Sequence, residues 1–507
     1  MAFAPEYQET SIKLLKNMSM QNVNFSINIQ NNGFVIKQVL SINALPAVNN
    51  IICTNGNADV SGTVAVSALV VGAEKEYHVF EQEATFNLHL QDVDITENAQ
   101  VFAMASLGEI SNIVPTENSI SCNITINVNS MIVRPQVLKI LQSVGKGTQQ
   151  KTDVYEFNNI QNTISQTFEL SNELNLPNNI SHILLSNANC IIEDVSASTD
   201  MITINGKVYA EVLYLSNEEE PKLKQQDYIL DFSQEFLANG TTPDDKVVVM
   251  SKVTKMGYEV QGEMNSSKGI LVLNPTISIN AQITRPIQFE SIADAFCPKH
   301  KLSLQTADYQ NQQLGVIKLN EKIEGSLSLP EDVRINKILC ISHSYCTCNI
   351  VQSDAKSIHG VIFANIIYQL DDENMTMGAI LAEIPFTKDI ETDSNDLIVQ
   401  TTIKTIEARS KRVKDIDVQA DIEITLNYAQ NSPKTLICDA ILGEKFAGED
   451  NPLGVYIINN ANEVWDIAKM LRVSPQTILE QNPNLTFPIV QPTNVLVYRQ
   501  VVPIEEA

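Results

Sequence analysis

One ten-residue segment occurs three times in this 507-residue chain, and it limits the possible folds more than any other feature of the sequence. Each copy begins with a glycine, at Gly62, Gly206 and Gly360, and continues as a largely apolar run rich in Val, Ile, Leu and Ala. The glycines are 144 (206−62) and 154 (360−206) residues apart. Solenoid repeats are only roughly 20–50 residues long. The spacing therefore predicts three copies of one domain rather than a solenoid.

The features around each glycine keep the same order. An apolar run precedes it, a phenylalanine follows 24 to 26 residues later (Phe86, Phe232 and Phe386), and a strand of alternating apolar residues closes the copy. Strict alternation indicates one buried and one solvated face, as in an antiparallel sheet or sandwich. We expect the glycine to mark a β-bulge or a close backbone approach. The predicted fold is mostly β, with three repeated antiparallel β-sandwich-like domains at 1–140, 150–297 and 305–442.

Two further segments complete the organisation. The polar segment 141–152, with two glycines, is typical of a linker. After residue 454 the hydrophobic period changes, with apolar residues at helical spacing over 464–471. Ser474-Pro475 is typical of an N-cap followed by proline at the first helical position. With short apolar runs on either side, the sequence predicts a βααβ module at 455–500, which requires tight packing because it is small.

Composition and charge argue against several classes of protein. The 34 Lys and Arg against 60 Asp and Glu give a formal charge of −26, which disfavours sequence-blind binding to nucleic acid or anionic lipid. The N-terminus lacks the basic and apolar regions of a signal peptide, and no apolar run approaches the roughly 20 residues of a membrane span. The eight cysteines are dilute, like buried reduced thiols. We therefore expect a soluble protein that stays inside the cell.

The sequence contains no recognisable catalytic motif. It has neither a Gly-x-Ser-x-Gly elbow nor a phosphate-binding glycine loop. Its acidic clusters closely follow predicted strands and resemble hairpin loops rather than a pair of catalytic carboxylates. We expect a protein that is not an enzyme and needs no cofactor.

One group of residues has the chemistry of zinc ligands: Cys340, His343, Cys346 and Cys348. On a strand, Cys346 and Cys348 would point to the same face, whereas Cys340 and His343 would point to opposite faces. Zinc sites usually take their cysteine pairs from a turn, so buried small side chains are the favoured interpretation over a metal site.

The C-terminal segment resembles a LysM domain over about 455–500. Four features match the LysM pattern: the helix with Trp465, the start of the second helix at Val473-Ser474-Pro475, its end at Asn482 and the final strand. It departs from the family in two loops, where Ala461-Asn462-Glu463 replaces Gly-Asp-Thr and Pro492-Thr493 replaces Pro-Gly. LysM modules bind N-acetylglucosamine-containing glycans between these loops, so the missing Gly and Asp argue against glycan binding.

The resemblance also implies where such a module binds its ligand. The candidate partner- or glycan-binding residues, in the loops and the first helix, are Asn460, Asn462, Glu463, Trp465, Asn482, Asn484 and Leu485. The alternatives are a core role for Trp465 and a capping role for Asn482.

Three such repeats followed by one LysM module resemble the SipL-type spore-coat morphogenesis proteins of spore-forming Firmicutes, whose repeats are SPOCS domains. The segment Asp294-Ala295-Phe296-Cys297-Pro298 is similar to an Asp-Ala-Tyr-Ser-Pro-like turn of that family, and Asp439-Ala440 keeps its first two residues. The resemblance implies a non-enzymatic adaptor in endospore coat assembly. Its LysM module would dock on a SpoIVA-like coat ATPase in the mother-cell cytoplasm, at the forespore surface.

The alternative is a spore or cell-wall protein whose LysM module binds peptidoglycan. The missing secretion signal and the altered first loop argue against it. The sequence leaves the oligomeric state open.

Overall fold

The computed structural model describes most of the chain and consists largely of antiparallel strands. The described residues are 3–30, 33–175, 180–218, 222–261, 269–330, 333–352, 356–372, 376–394, 396–412, 414–447 and 452–499. They form 22 strands and two short helices. The prediction of a mostly β, antiparallel fold is confirmed.

The strands fall into three successive units and a C-terminal module. Unit 1 contains β1 (Glu6–Asn17), β2 (Gln21–Gln30), β3 (Ile36–Thr54), β4 (Asn57–Gly72), β5 (Tyr77–Gln91), β6 (Gln100–Pro115) and β7 (Ser119–Ser143). Unit 2 contains β8 (Gln149–Glu169), β9 (Asn172–Asn175), β10 (Ile180–Ser198), β11 (Met201–Ser216), β12 (Leu223–Leu237), β13 (Lys246–Gln261) and β14 (Ile270–Phe296).

Unit 3 contains β15 (His300–Ser328), β16 (Ile335–Gln352), β17 (Lys356–Leu370), β18 (Met377–Asp389), β19 (Leu397–Ser410) and β20 (Asp415–Lys445). The C-terminal module contains β21 (Leu453–Ile458), α1 (Val464–Leu471), α2 (Pro475–Gln481) and β22 (Thr493–Tyr498).

The three units have similar sheet connectivity, although the second sheet has four strands in units 1 and 2 and three in unit 3. Each unit has a three-stranded meander: β3-β4-β5, β10-β11-β12 and β16-β17-β18. A second sheet has the closing strand of the unit at its centre (β7, β14 or β20). That strand pairs with the strand before it and with the first strand or strands of the unit. The two sheets bury one apolar cluster between them in each unit, which makes each unit a sandwich.

Alternation of apolar residues forms these cores directly. In β7 the side chains of Ile120, Cys122, Ile124, Ile126 and Val128 are at most 1% exposed, while the residues between them are more open. Because successive side chains of a strand point to opposite faces, this pattern places every second residue in the sandwich.

The three units also share a central core. The residues seven positions after each repeated glycine, Leu69, Leu213 and Ile367, belong to one buried cluster. A second shared cluster contains Phe102, Val248 and Ile398, which occupy equivalent places in the strand before the closing strand. The units are therefore packed against each other through equivalent positions.

The prediction of a linker at 141–152 is wrong for most of that segment. Strand β7 continues to Ser143 and β8 begins at Gln149. Leu141 and Val144 are fully buried against apolar residues of units 2 and 3. Burial of these two side chains fixes the segment in the core, although most of its residues are polar. Strands also extend beyond the other predicted domain limits, since β15 begins at His300 and β20 ends at Lys445.

The C-terminal module has the element order β, α, α, β, with β21 and β22 antiparallel. The carboxylate of Asp466 accepts hydrogen bonds from the backbone N–H groups of Asn462 and Glu463, at the start of α1. Ser474 caps α2 by accepting from the backbone N–H of Thr477 at 3.0 Å. Neither helix in the described part of the chain is long and apolar enough to cross a membrane.

Candidate functional site

Each repeated glycine lies directly opposite the phenylalanine that follows it in the sequence. The cross-strand pairs are Gly62 with Phe86, Gly206 with Phe232 and Gly360 with Phe386. The ring covers the glycine so closely that a Cβ on Gly206 would lie 2.7 Å from the ring of Phe232 and 2.4 Å from the carbonyl oxygen of Ile191. These glycines permit close packing within the sandwich and are structural residues.

The first helix of the C-terminal module lies against the end of β14 in unit 2. The indole Nε1 of Trp465 donates to Oδ2 of Asp294 at 2.8 Å. Its ring meets Phe296 edge-on, with centroids 5.2 Å apart. Lys469, one turn further along α1, pairs with Asp294 at 2.6 Å. Trp465 is only 9% exposed, so it is a core and docking side chain here rather than an open binding surface.

Electrostatic contacts extend this docking. Glu463, at the N-cap of α1, forms an ion pair with Lys151 of β8, and the guanidinium of Arg472 lies 4.3 Å from the ring centre of Phe446. Burial raises the pKa of Asp294, but hydrogen bonds from Lys469 and Trp465 outweigh burial and hold the pKa below its ordinary value. The carboxylate is therefore charged at neutral pH.

Asn482 is engaged inside the module. Its Nδ2 donates to the carbonyl oxygens of Ile478 and Leu496, at 2.9 and 2.8 Å, and its Oδ1 accepts from the backbone N–H of Leu496 at 2.7 Å. It thus joins the end of α2 to β22.

The remaining loop candidates divide by exposure. Asn460, Asn462 and Asn484 are exposed, whereas Leu485 is half-buried and packs against the apolar cluster of the module. Of the predicted set, the three exposed asparagines are open to a ligand, whereas Trp465 offers no open aromatic face.

An exposed apolar surface was missed by the sequence reasoning. The solvent side of the β21–β22 sheet, the outer sheet face, carries Asn494 and five apolar residues that are between 39% and 66% exposed: Leu453, Val455, Ile457, Leu496 and Tyr498. The opposite side contributes Val495 and Val497 to the core. Apolar residues at both odd and even positions of these strands were the signal that could have revealed it, since a two-sided apolar strand suits two packing partners.

The weak candidates for zinc ligands do not converge. Cys346 and Cys348 lie on one face of β16 with their Sγ atoms 3.7 Å apart, while Cys340 lies in the cluster shared by the units. His343 is buried and stacks on Tyr345; burial lowers its pKa to about 4. In the described ranges, no three or more His, Cys, Asp or Glu side chains are placed to hold a metal ion.

A cavity of about 490 Å³ lies between the three units. Its lining includes Asn43 from unit 1, Lys252 from unit 2 and Thr401 from unit 3. The ammonium of Lys252 donates to the carbonyl oxygen of Ala105, and burial lowers the pKa of Lys252 to about 7. This lysine is held at the edge of the cavity at an electrostatic cost.

Replacing Lys252 with methionine is expected to raise the free energy of unfolding at pH 7. The pKa of Lys252 is about 7 in the folded chain, against 10.5 ordinarily. At a pH between these two values, Lys252 is protonated in the unfolded chain but has lost its proton in the folded chain. Wild-type stability therefore rises with pH across this range. The gain from Lys252→Met is then largest at pH 7 and below, and shrinks towards pH 10.

We expect a gain of roughly 1–2 kcal/mol at pH 7, since solvent reaching the cavity screens part of the charge. Denaturant titrations at several pH values measure it. Lys255→Met, at an exposed position of the same strand, is the control. A gain independent of pH would contradict the assignment.

The fold and the docked helix together define a mostly β chain of packed antiparallel sandwiches that carries a small βααβ module. A family model described as SipL, SPOCS domain matches residues 179–261, which include β10 to β13. This match relates unit 2 to SipL-like proteins and indicates a sporulation-related protein. Neither the curated proteins nor the solved structures include a significant match to the chain.

Proposed function

We propose that this chain is a non-enzymatic scaffold in endospore coat assembly. The observation that carries the proposal is the SPOCS match of unit 2 at 179–261. Units 1 and 3 have similar sheet connectivity and the same glycine–phenylalanine pair, which supports assigning them to the same kind of domain. Three domains packed through a common core suit a rigid structural part.

The C-terminal module, in this proposal, is a LysM-type module that docks on a SpoIVA-like coat ATPase. Its βααβ order supports the assignment. Because Asp294 and Phe296 of unit 2 cover Trp465, we assign the docking on the ATPase to the outer sheet face, where five apolar side chains are exposed. The site of action is the mother-cell cytoplasm, at the forespore surface.

Recovery of the ATPase from a sporulating lysate of a spore-forming Firmicute tests this proposal, with the full chain as bait. Val455 and Leu496 are cross-strand partners on the outer sheet face, so the double variant Val455→Asp, Leu496→Asp places two charges in the middle of an apolar contact. We expect wild type to recover the ATPase and the double variant to lose it, because buried unpaired carboxylates are costly.

The matched control is Val93→Asp, at a 92% exposed valine of unit 1, and it should bind like wild type. Far-UV circular dichroism confirms that each variant is folded. Equal recovery by wild type and by the double variant would refute docking through this face. Recovery of peptidoglycan fragments instead of the ATPase would favour the glycan-binding alternative, for which the exposed Asn460, Asn462 and Asn484 offer hydrogen-bonding side chains.

A further inference from the structure

A β-bulge occurs at the same place in the closing strand of each unit. Register shifts leave one residue unpaired in each strand: Gln142 in β7, Ala293 in β14 and Cys438 in β20. The residues that follow these bulges are Ser143, Asp294 and Asp439. Bulges re-aim the side chains beside them, so two of the three units direct a carboxylate out of the sheet at this place.

Both aspartates are satisfied by the same kind of donors. Asp294 accepts from the indole of Trp465 and from Lys469. Asp439 accepts from the hydroxyl of Tyr7 at 2.5 Å and lies 3.6 Å from the ammonium of Lys139. In each case the carboxylate also accepts a 2.8 Å hydrogen bond from the N–H of the next residue, an alanine. The bulge therefore holds an oriented carboxylate for an aromatic donor and a lysine.

The two occupants differ in how they are attached. Tyr7 and Lys139 belong to β1 and β7, which are paired strands of the unit 1 sandwich. Trp465 and Lys469 belong to α1 of a module with its own apolar core, to which unit 2 contributes the ring of Phe296. The ion pairs that hold the module, Lys469–Asp294 and Lys151–Glu463, join half-exposed lysines to carboxylates that are 26% and 48% exposed. Solvent screening weakens such pairs, so a few partly exposed polar contacts and one aromatic contact hold the module on unit 2.

We propose that the bulge at Asp294 is a receptor site for a helix that presents an aromatic N–H donor and a lysine four residues later, and that the module of the same chain occupies it reversibly. Positions i and i+4 lie on one face of a helix, so α1 places both donors on one carboxylate. While docked, α1 is withheld from external ligands and the module is held in one orientation. This inference does not depend on the identity of the partner.

Fluorescence quenching on the full chain tests the proposal, because Trp465 is the only tryptophan. Asp294→Ala removes the acceptor of both donors. We expect red-shifted emission and stronger quenching by acrylamide, with the undocked population increased by about tenfold or more, as loss of hydrogen bonds to a charged group implies. Asp439→Ala, at the equivalent bulge away from Trp465, should leave emission unchanged.

A second variant approaches from the other side of the contact. Lys469→Ala leaves unit 2 intact, so it separates undocking from damage to the sandwich, and it should shift emission in the same direction. Unchanged emission in both Asp294→Ala and Lys469→Ala would overturn the proposal. Wild-type emission that shifts to the red on dilution would also overturn it, because docking would then involve a second copy of the chain.

Discussion

Gly206→Ala is expected to destabilise unit 2 by about 2–3 kcal/mol, the upper part of the roughly 1–3 kcal/mol that extra atoms in a packed core usually cost. The new Cβ would lie 2.4 Å from the carbonyl oxygen of Ile191 and 2.7 Å from the ring of Phe232. The carbonyl belongs to the partner strand β10 and the ring is 8% exposed, so neither neighbour can move without disturbing the sandwich. Denaturant unfolding together with hydrogen exchange in β10–β12 measures the effect.

Gly257→Ala is the matched control for this prediction. Gly257 also lies in a strand of unit 2, but its nearest neighbours would be 3.3 and 3.5 Å from the new Cβ, both on Asn274. We expect a smaller change, of about 1 kcal/mol or less, because a shift of a few tenths of an ångström relieves the 3.3 Å contact at this half-buried position. Equal losses at the two glycines would mean that the close approach at Gly206 has no special energetic importance.

Trp465→Ala is expected to unfold the C-terminal module. Truncating a buried tryptophan to alanine costs about 3–5 kcal/mol, and a module of this size has only a few kcal/mol to lose. The variant also removes the hydrogen bond to Asp294 and the contact with Phe296. Hydrogen exchange over 453–498 should show protection lost in α1, α2 and the β21–β22 sheet, while units 1 to 3 stay protected.

Trp465→Phe is the companion variant, since it keeps a smaller aromatic ring in the core and removes the indole donor. We expect its module to stay folded but to dock more weakly on unit 2. If the Trp465→Ala chain keeps its exchange protection in α1 and α2, the core role of Trp465 is wrong.

These expectations change how partner-binding experiments are interpreted. A loss of binding in Trp465→Ala reports an unfolded and undocked module, so it does not identify a ligand contact. The outer sheet face lets the two effects be separated, because Val455 and Leu496 are exposed and their replacement leaves the core residues Val495 and Val497 in place.

Local patterns predicted a large part of this architecture. Alternation over residues such as Ile120 and Ile124 predicted strands that the structure contains, because a side-chain period of two is a property of one strand alone. The helix starting at Val464 and the cap at Ser474 likewise follow from spacing and from the preference of serine for N-caps. Even the glycine strand was visible, although its covering phenylalanine could be identified only by its similar distance along the chain.

Predictions that required distant contacts were less complete. The polar segment 141–152 contains Leu141 and Val144, which are buried by residues more than one hundred positions away, and average composition does not reveal such partners. Asp294 was recognised as part of a motif, but not as the acceptor for Trp465, 171 residues further on. The candidate groove residues were assigned by resemblance, and the structure engages Asn482 internally.

The order of strands and helices, the strand faces and the recurrence of the glycine strand are therefore properties that periodicity and repetition encode locally. Which apolar surfaces meet is decided only in three dimensions. Trp465 of α1 is covered by unit 2, whereas the outer sheet face of the same module stays open. Both surfaces carry apolar residues in the sequence, and the hydrophobic effect is non-directional. Unit 2 covers α1 and not the outer sheet face because the carboxylate of Asp294 is oriented at its bulge to accept hydrogen bonds from the indole of Trp465 and the ammonium of Lys469.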